Sequence, residues 1–172
     1  MAIVTKQTTG EQWTQPTDIV SLLAPFGVVF EQWNVSKLAT HPKLEGETDQ
    51  DHVLRVFEEE VTRVSAQRGY QTADVVSLTP TMPNLAELLA KFDKEHYHTE
   101  DEVRFVVNGR GIFSVRGTDG EMYDIEVHPG DLLAVPEGTY HYFDLCEDKH
   151  IQCIRLFTDK GGWVAHYVEP KN

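Results

Sequence analysis

Apolar residues in the second half of the chain recur in short runs separated by turn residues. These runs alternate with Gly, Pro, Asn or Asp turns, and no helical pattern lies between them. Such spacing indicates an antiparallel barrel or sandwich. The predicted strands are Glu102–Val107, Gly111–Arg116, Met122–Val127, Leu132–Val135, Thr139–Leu145, Ile151–Phe157 and Trp163–Val168.

The first half of the chain mixes helical and extended patterns. From Val53 to Val64, apolar residues recur at spacings typical of a helix, which predicts one helix over Asp49–Arg68, followed by Gly69 as its C-terminal cap. Further predicted helices are Asp18–Gly27 and Pro83–Phe92, and the predicted strands are Met1–Lys6, Val28–Val35 and Ala73–Thr79.

The predicted fold class is therefore α+β, mainly β: a small antiparallel β-barrel with helices from the N-terminal half packed outside it. No repeat, low-complexity stretch or long linker divides the chain, so we predict one domain over residues 1–172. Within it, residues 1–92 form the mixed part that flanks the barrel, and residues 93–168 form the barrel core.

The net charge limits the kinds of macromolecule or membrane that the chain is expected to bind. The 172 residues include 15 Lys and Arg against 28 Asp and Glu, a formal net charge of −13. Phosphate binding needs a basic face, and anionic membranes attract basic segments. The balance therefore argues against a general nucleic-acid binder and against docking on an anionic membrane.

Signals for export are absent from the sequence. The segment Met1–Gly10 lacks the apolar core of a signal peptide, and no apolar run approaches the roughly 20 residues that span a bilayer. Cys146 and Cys153 both lie in apolar, strand-like segments, which favours buried free thiols over a disulfide or a metal pair. Together these features predict a cytoplasmic protein.

A first cluster of candidate metal ligands precedes the strand at Glu102. His96 and His98 lie two residues apart, and side chains at that spacing point to the same side of an extended chain. Glu102 follows four residues later, so a short turn between them would bring its carboxylate to the same ion.

A second segment supplies another imidazole. Gly130-Asp131 opens an apolar run that ends in the turn Pro136-Glu137-Gly138, and the next strand contains His141. Three neutral nitrogens and one carboxylate suit a divalent first-row metal with coordination positions left open. With both segments present, metal binding is favoured over a chance grouping of histidines.

The two segments resemble the paired motifs of the cupin superfamily, and within it the acireductone dioxygenase family. The resemblance is carried by the runs from His96 to Val107 and from Gly130 to Asp144, with support from Arg155-Leu156-Phe157 and Gly161-Gly162-Trp163. It covers much of Phe92–Ala165, and the N-terminal half adds little to it.

The resemblance implies a cupin-type jelly-roll barrel with one Fe(II) or Ni(II) ion per chain, held by His96, His98, Glu102 and His141. It implies a dioxygenase of methionine salvage that cleaves the acireductone 1,2-dihydroxy-3-keto-5-methylthiopentene with O2. With iron, the family makes formate and 2-keto-4-methylthiobutyrate, and with nickel it makes carbon monoxide, formate and methylthiopropionate. The family also suggests a monomer.

Arg104 is the candidate catalytic residue. It lies two residues after Glu102 on the same predicted strand, so both side chains should face the barrel interior. A buried guanidinium is a natural partner for an anionic enolate. The alternative is a salt bridge to Glu95, Asp101 or another carboxylate. Glu95 and Asp101 themselves are expected to be solvated acids or hydrogen-bond acceptors for the ligands rather than catalytic bases.

Aromatic residues near the motifs are candidates for a substrate pocket. Phe92, Phe143 and Trp163 could line an apolar pocket for the methylthio tail, and equally they could be ordinary barrel core. Arg155 could supply a second cation near the substrate, or it could form a salt bridge.

Fold and ligands alone leave two other functions open. One is another cupin enzyme, such as a different dioxygenase or an isomerase, and the other is a non-catalytic small-molecule-binding cupin. The pair Arg104-Phe105 and the segment Gly161-Gly162-Trp163 favour the acireductone dioxygenase, and no output domain that would suit a sensor is visible.

Overall fold

The computed structural model describes residues 1–159 and 163–168. The Gly161-Gly162 pair of the sequence resemblance lies outside the described residues. The strands are β1 Ile3–Lys6, β2 Gln12–Trp13, β3 Val29–Gln32, β4 Thr72–Leu78, β5 His96–Tyr97, β6 Glu102–Gly109, β7 Gly111–Arg116, β8 Met122–Val127, β9 Asp131–Val135, β10 His141–Leu145, β11 Ile151–Phe157 and β12 His166–Tyr167.

The strands form two sheets. One has seven strands in the order β12-β5-β10-β7-β8-β1-β2, and the other has five in the order β3-β9-β6-β11-β4. Neighbouring strands run antiparallel throughout, as the short runs and turns predict. Within the described part of the chain, the ladders join strands inside each sheet, so the predicted barrel takes the form of two facing sheets rather than one hydrogen-bonded cylinder.

The helices come from the first half of the chain. They are α1 Pro16–Leu23, α2 Lys37–Thr40, α3 Asp49–Val56, α4 Glu58–Arg68 and α5 Leu85–Ala90, with a short 3₁₀ turn at Ala24–Phe26. The predicted α+β class, mainly β, is confirmed. The first half also contributes β1 to β4, so both sheets contain strands from the two halves of the chain.

The predicted helix over Asp49–Arg68 is bent at Phe57. At Phe57 the backbone dihedral angles leave the helical range, with φ −106° and ψ 17°. The backbone N–H of Phe57 still donates to the carbonyl of Val53, and that of Val61 donates to the carbonyl of Phe57. The Phe57 ring is completely buried, and its centroid lies 4.8 Å from that of Phe105. Gly69 ends α4 in the left-handed conformation (φ 79°), as predicted.

The five-stranded sheet separates two apolar layers. Val103 and Phe105 of β6 pack toward α3 and α4, together with Val53 and Phe57. On the opposite face, Val106 joins the layer between the two sheets. Because side chains alternate along a strand, Glu102 and Arg104 also face this inner layer.

Cys146 and Cys153 are buried free thiols, as predicted. Among the helices described, none has both the length and the apolar character needed to cross a membrane.

Candidate metal centre

The structure brings the four candidate ligands together between the two sheets. His96 on β5 is the cross-strand partner of His141 on β10, while Glu102 begins β6 in the opposite sheet. His98 lies in the turn between β5 and β6. All four residues are buried, and their ligand atoms lie within 4.8 Å of one another.

Backbone carbonyls orient the three imidazoles. Nδ1 of His96 lies 2.6 Å from the carbonyl oxygen of Lys94, Nδ1 of His98 lies 2.8 Å from that of Val164, and Nδ1 of His141 lies 2.8 Å from that of Thr139. A carbonyl oxygen only accepts hydrogen bonds, so each Nδ1 carries the proton. In a neutral ring, Nε2 then keeps its lone pair, which is the tautomer that binds metals through Nε2.

Glu102 lies close to two of the imidazole nitrogens. Its Oε2 lies 2.9 Å from Nε2 of His98 and 2.8 Å from Nε2 of His141. Nε2 of His96 is buried and has no hydrogen-bond partner among the described residues. Lone pairs and a carboxylate oxygen held this close repel one another unless a proton or a metal ion lies between them, so the donor set fits a divalent first-row metal.

Without a metal ion, protons lie between Glu102 and the neighbouring imidazoles, and the pKa directions describe that metal-free state. Burial opposes ionisation of Glu102, but Arg104 and the hydrogen bonds from His141 and His98 hold the pKa of its carboxyl well below the usual range. Burial lowers the pKa of His98, but its hydrogen bond to Glu102 and the negative charge there outweigh burial and raise it. The pKa of His96 is lowered, chiefly by burial.

Arg104 lies beside the four residues and pairs with one of them. Its Nε donates to Oε1 of Glu102 over 2.9 Å, in a pair that is almost fully buried. The salt bridge considered from the sequence is thus formed, but with the candidate ligand itself. The two oxygens of Glu102 have different partners: Oε1 accepts a hydrogen bond from Arg104, and Oε2 faces the imidazoles.

Three aromatic rings surround the Arg104 guanidinium. Its central carbon lies 4.9 Å from the ring centre of Trp163, 5.5 Å from that of Phe143 and 5.9 Å from that of Phe113. Trp163 and Phe143 are two of the predicted pocket residues. Phe113 was missed by the sequence argument, and the strand alternation that places it on the inner face could have found it.

The other two predicted pocket residues, Phe92 and Arg155, each lie near a different member of the site. The ring of Phe92 is 6.1 Å from that of His96, and Phe92 accepts a backbone hydrogen bond from Phe143. Arg155 forms a two-point salt bridge with Asp74, with hydrogen bonds of 2.8 and 2.6 Å, and its guanidinium lies 5.5 Å from the Trp163 ring.

The flanking acids pair with groups other than the imidazoles. Glu95 forms a salt bridge with Arg116, with a shortest distance of 2.6 Å. Asp101 accepts from the hydroxyl of Tyr70 and from the backbone N–H of Glu137. The orienting acceptors are backbone carbonyls instead, which no sequence motif marks because every residue type carries one.

The remaining histidines take no part in this cluster. Across residues 1–159 and 163–168, the only grouping of His, Cys, Asp and Glu that could hold a metal ion is the one formed by His96, His98, Glu102 and His141.

Comparison with known proteins agrees with the geometry. The chain is 45% identical over 170 residues to an acireductone dioxygenase of Exiguobacterium sibiricum, covering 97% of this chain and 95% of that protein. It is 48% identical over 153 residues to one from Bacillus thuringiensis subsp. konkukian, covering 87% and 90%. A solved acireductone dioxygenase from Bacillus anthracis, with a cadmium ion in its active centre, superposes with a TM-score of 0.90 at 43% identity, covering 97% of this chain and 98% of that one.

The sequence model of the ARD/ARD' family matches residues 4–165. That match includes both histidine segments, the Glu102–Arg104 pair and all of the strands from β2 to β11. The chain therefore belongs to the ARD/ARD' family.

Proposed function

We propose that this protein is an acireductone dioxygenase of methionine salvage, which cleaves 1,2-dihydroxy-3-keto-5-methylthiopentene with O2. The observation that carries the proposal is the meeting of three oriented Nε2 atoms with a buried carboxylate that Arg104 also contacts. Membership of the family supports this reaction, and the geometry of the site is compatible with it.

His96, His98, Glu102 and His141 would hold one Fe(II) or Ni(II) ion. Once bound, the ion would supply a Lewis acid that stabilises the deprotonated substrate. The donor set accepts either metal, because imidazole suits both and one carboxylate adds negative charge. With iron the products are formate and 2-keto-4-methylthiobutyrate, and with nickel they are carbon monoxide, formate and methylthiopropionate.

Arg104 would hold the anionic substrate. A guanidinium offers N–H donors in a fixed planar fork and has no acceptor, which suits the binding of an anion. The rings of Phe113, Phe143 and Trp163 exclude water around it. A charge in such surroundings attracts an anion more strongly than a charge in bulk water does.

The methylthio tail would pack against the aromatic side chains near Arg104. Phe143 and Trp163 flank the guanidinium, and Phe92 lies against His96. The guanidinium of Arg155 lies 5.5 Å from the centre of the Trp163 ring and would help to hold that indole ring in position.

The substrate partners are a small molecule and O2. The net charge of −13 weighs against nucleic-acid and membrane partners. We further propose a cytoplasmic monomer built as a single domain.

The test combines metal loading with product analysis. Protein freed of metal, then loaded with Fe(II) or Ni(II), should accelerate the aerobic decay of acireductone. Carbon monoxide should appear only with nickel, and the 2-keto acid only with iron. The metal-free protein is the control. A failure of both metals to accelerate decay would refute the dioxygenase and leave another cupin activity or a binding role.

A further inference from the structure

Glu95 and Arg116 form an ion pair on the face of the seven-stranded sheet that points away from the candidate metal centre. Nε of Arg116 donates to Oε1 of Glu95 over 2.6 Å, and its Nη2 donates to Oε2 over 3.1 Å. The third nitrogen, Nη1, donates over 3.0 Å to the carbonyl of Gly120, in the turn that joins β7 and β8. The two parallel hydrogen bonds fix the relative orientation of the two side chains.

This ion pair spans the strand that carries His141. β10 lies between β5 and β7 in the sheet, with His141 opposite His96 on one side and opposite Val115 on the other. Glu95 immediately precedes His96, and Arg116 immediately follows Val115. Because neighbouring side chains of an extended strand point to opposite faces, the ion pair lies on the face opposite to the imidazoles. It therefore crosses the start of β10 and links the strands on either side of it.

The backbone hydrogen bonds of β5 are few. This strand has two residues, and its pairing with β10 is a single cross-strand pair, His96 with His141. Side-chain pairs supply much of the stability of such short ladders. On the outer face, the rings of Tyr97 and Tyr140 also meet, with centroids 5.4 Å apart. The contacts on this face therefore have a large share in fixing where His96 lies relative to His141.

We propose that the ion pair between Glu95 and Arg116 positions His96 against His141 and so sets the affinity of the metal centre. The four ligand atoms lie within 4.8 Å of one another, so a small displacement of β5 changes the shape of the site. Both members of the ion pair are positioning residues, because they act through the strands that they join. The inference rests on the metal centre of the proposed function and adds a determinant of its affinity.

The direction of the effect distinguishes positioning from the charges themselves. A nearby carboxylate attracts a divalent cation, and a nearby guanidinium repels it. If only the charges mattered, Glu95→Gln would weaken metal binding and Arg116→Met would strengthen it. Positioning predicts that both substitutions weaken binding, because either one breaks the same ion pair. Arg116→Met is therefore the decisive variant.

Two measurements report on the metal centre itself. Competition with a chelator gives the Ni(II) affinity, and the visible absorption spectrum of the Co(II)-substituted protein reports ligand geometry. We expect Glu95→Gln and Arg116→Met each to weaken Ni(II) binding roughly 3- to 5-fold, the upper range for a partly exposed ion pair, and to change the Co(II) spectrum. The double variant should lose no more than the larger single loss, because both changes remove one contact. Arg116→Lys keeps the charge and should lose less than Arg116→Met.

Arg110→Met is the matched control. Arg110 immediately precedes β7, at the opposite end of that strand from Arg116, and it pairs with other acids, Glu126 and Asp148. The exposed fraction of its side chain is 40%, against 38% for Arg116. This substitution removes the same charge, and the Ni(II) affinity and the Co(II) spectrum should match those of the parent. The thermal melting curve of each metal-free variant first shows whether it is folded.

The outcomes separate this inference from the proposed function. A parent protein that binds neither Ni(II) nor Co(II) overturns the metal centre and this inference with it. A parent that binds both metals without accelerating acireductone decay overturns the dioxygenase alone. A folded Arg116→Met variant that binds Ni(II) as tightly as the parent or the Arg110→Met control overturns this inference alone. If Arg116→Met fails to fold, the Co(II) spectra of Arg116→Lys and Glu95→Gln decide, and parental spectra in both overturn it.

Discussion

Two arginines occupy directly opposed positions on adjacent strands, and each is paired with a carboxylate. Arg104 on β6 is the cross-strand partner of Arg155 on β11, and Arg155 in turn is the partner of Asp74 on β4. Opposed residues of an antiparallel pair share one face of the sheet. Trp163 lies within 5.5 Å of both guanidiniums and so touches each pair.

The two pairs differ in burial and in the number of donors used. Asp74 accepts hydrogen bonds from two donors of Arg155, Nε and Nη2. The side chain of Arg155 is 28% exposed and that of Asp74 is 36% exposed. Oε1 of Glu102 accepts a hydrogen bond from Nε of Arg104, and Oε2 faces the imidazoles. The side chain of Arg104 is 6% exposed and that of Glu102 is 3% exposed. Asp74 uses both of its oxygens on Arg155, whereas Glu102 and Arg104 each keep a group that could contact a metal ion or a substrate.

The largest effect is expected from a substitution at Glu102. Glu102→Gln should abolish stoichiometric metal binding and the acceleration of acireductone decay. It also leaves the Arg104 charge buried without its carboxylate, which should lower the free energy of unfolding of the metal-free protein by about 3 kcal/mol. Metal analysis and urea denaturation measure the two effects. Retention of one metal ion per chain by this variant would contradict the proposed ligand role.

Arg104 should matter for turnover and not for metal content. Arg104→Ala removes the cation proposed to hold the substrate, and we expect kcat to fall by about 10²- to 10³-fold, as when a preorganised donor is removed from a reaction centre. Metal analysis should still give one ion per chain. Arg104→Lys retains the charge and serves as the matched variant. Parental kinetics in Arg104→Ala would eliminate the substrate role.

The charge of Glu102 should also appear in the acid stability of the metal-free protein. Its pKa lies well below the ordinary value of 4.5, so the unfolded chain takes up its proton at a higher pH than the folded protein does. The stabilisation is present above pH 4.5 and is lost as the pH falls from there toward the folded-state pKa. Urea denaturation at several pH values should show a shallower acid loss in Glu102→Gln than in the parent. Parallel curves for the two proteins would contradict the assignment.

The smallest effect is expected at the partly exposed salt bridge between Asp74 and Arg155. Asp74→Asn and Arg155→Met should each lower the free energy of unfolding by about 1 kcal/mol or less, because solvent screens a partly exposed salt bridge. Metal content should be unchanged, and turnover should fall less than in Arg104→Ala. A loss of turnover in Arg155→Met as large as that in Arg104→Ala would show that both arginines act on the substrate.

Local rules predict much of the site. His96 and His98 share a side because they lie two residues apart on an extended segment, and the same period places Glu102 and Arg104 on the inner face of β6. Turn residues and alternating apolar runs predict the strands of the second half and the mainly β class. The bend at Phe57 escapes these rules, because the helical spacing of apolar residues continues through it. The Phe57 ring packs there against Phe105, a residue distant in sequence.

Residue type and short spacing are enough to predict the strand-rich second half, the four candidate ligands and the family that they resemble. The surroundings of the ligands depend on tertiary packing. The carbonyl of Val164 meets His98 across 66 positions, and Asp74 meets Arg155 across 81. Such contacts depend on how the sheets and the C-terminal segment pack, and a backbone carbonyl or a distant carboxylate leaves no local pattern by which to find it.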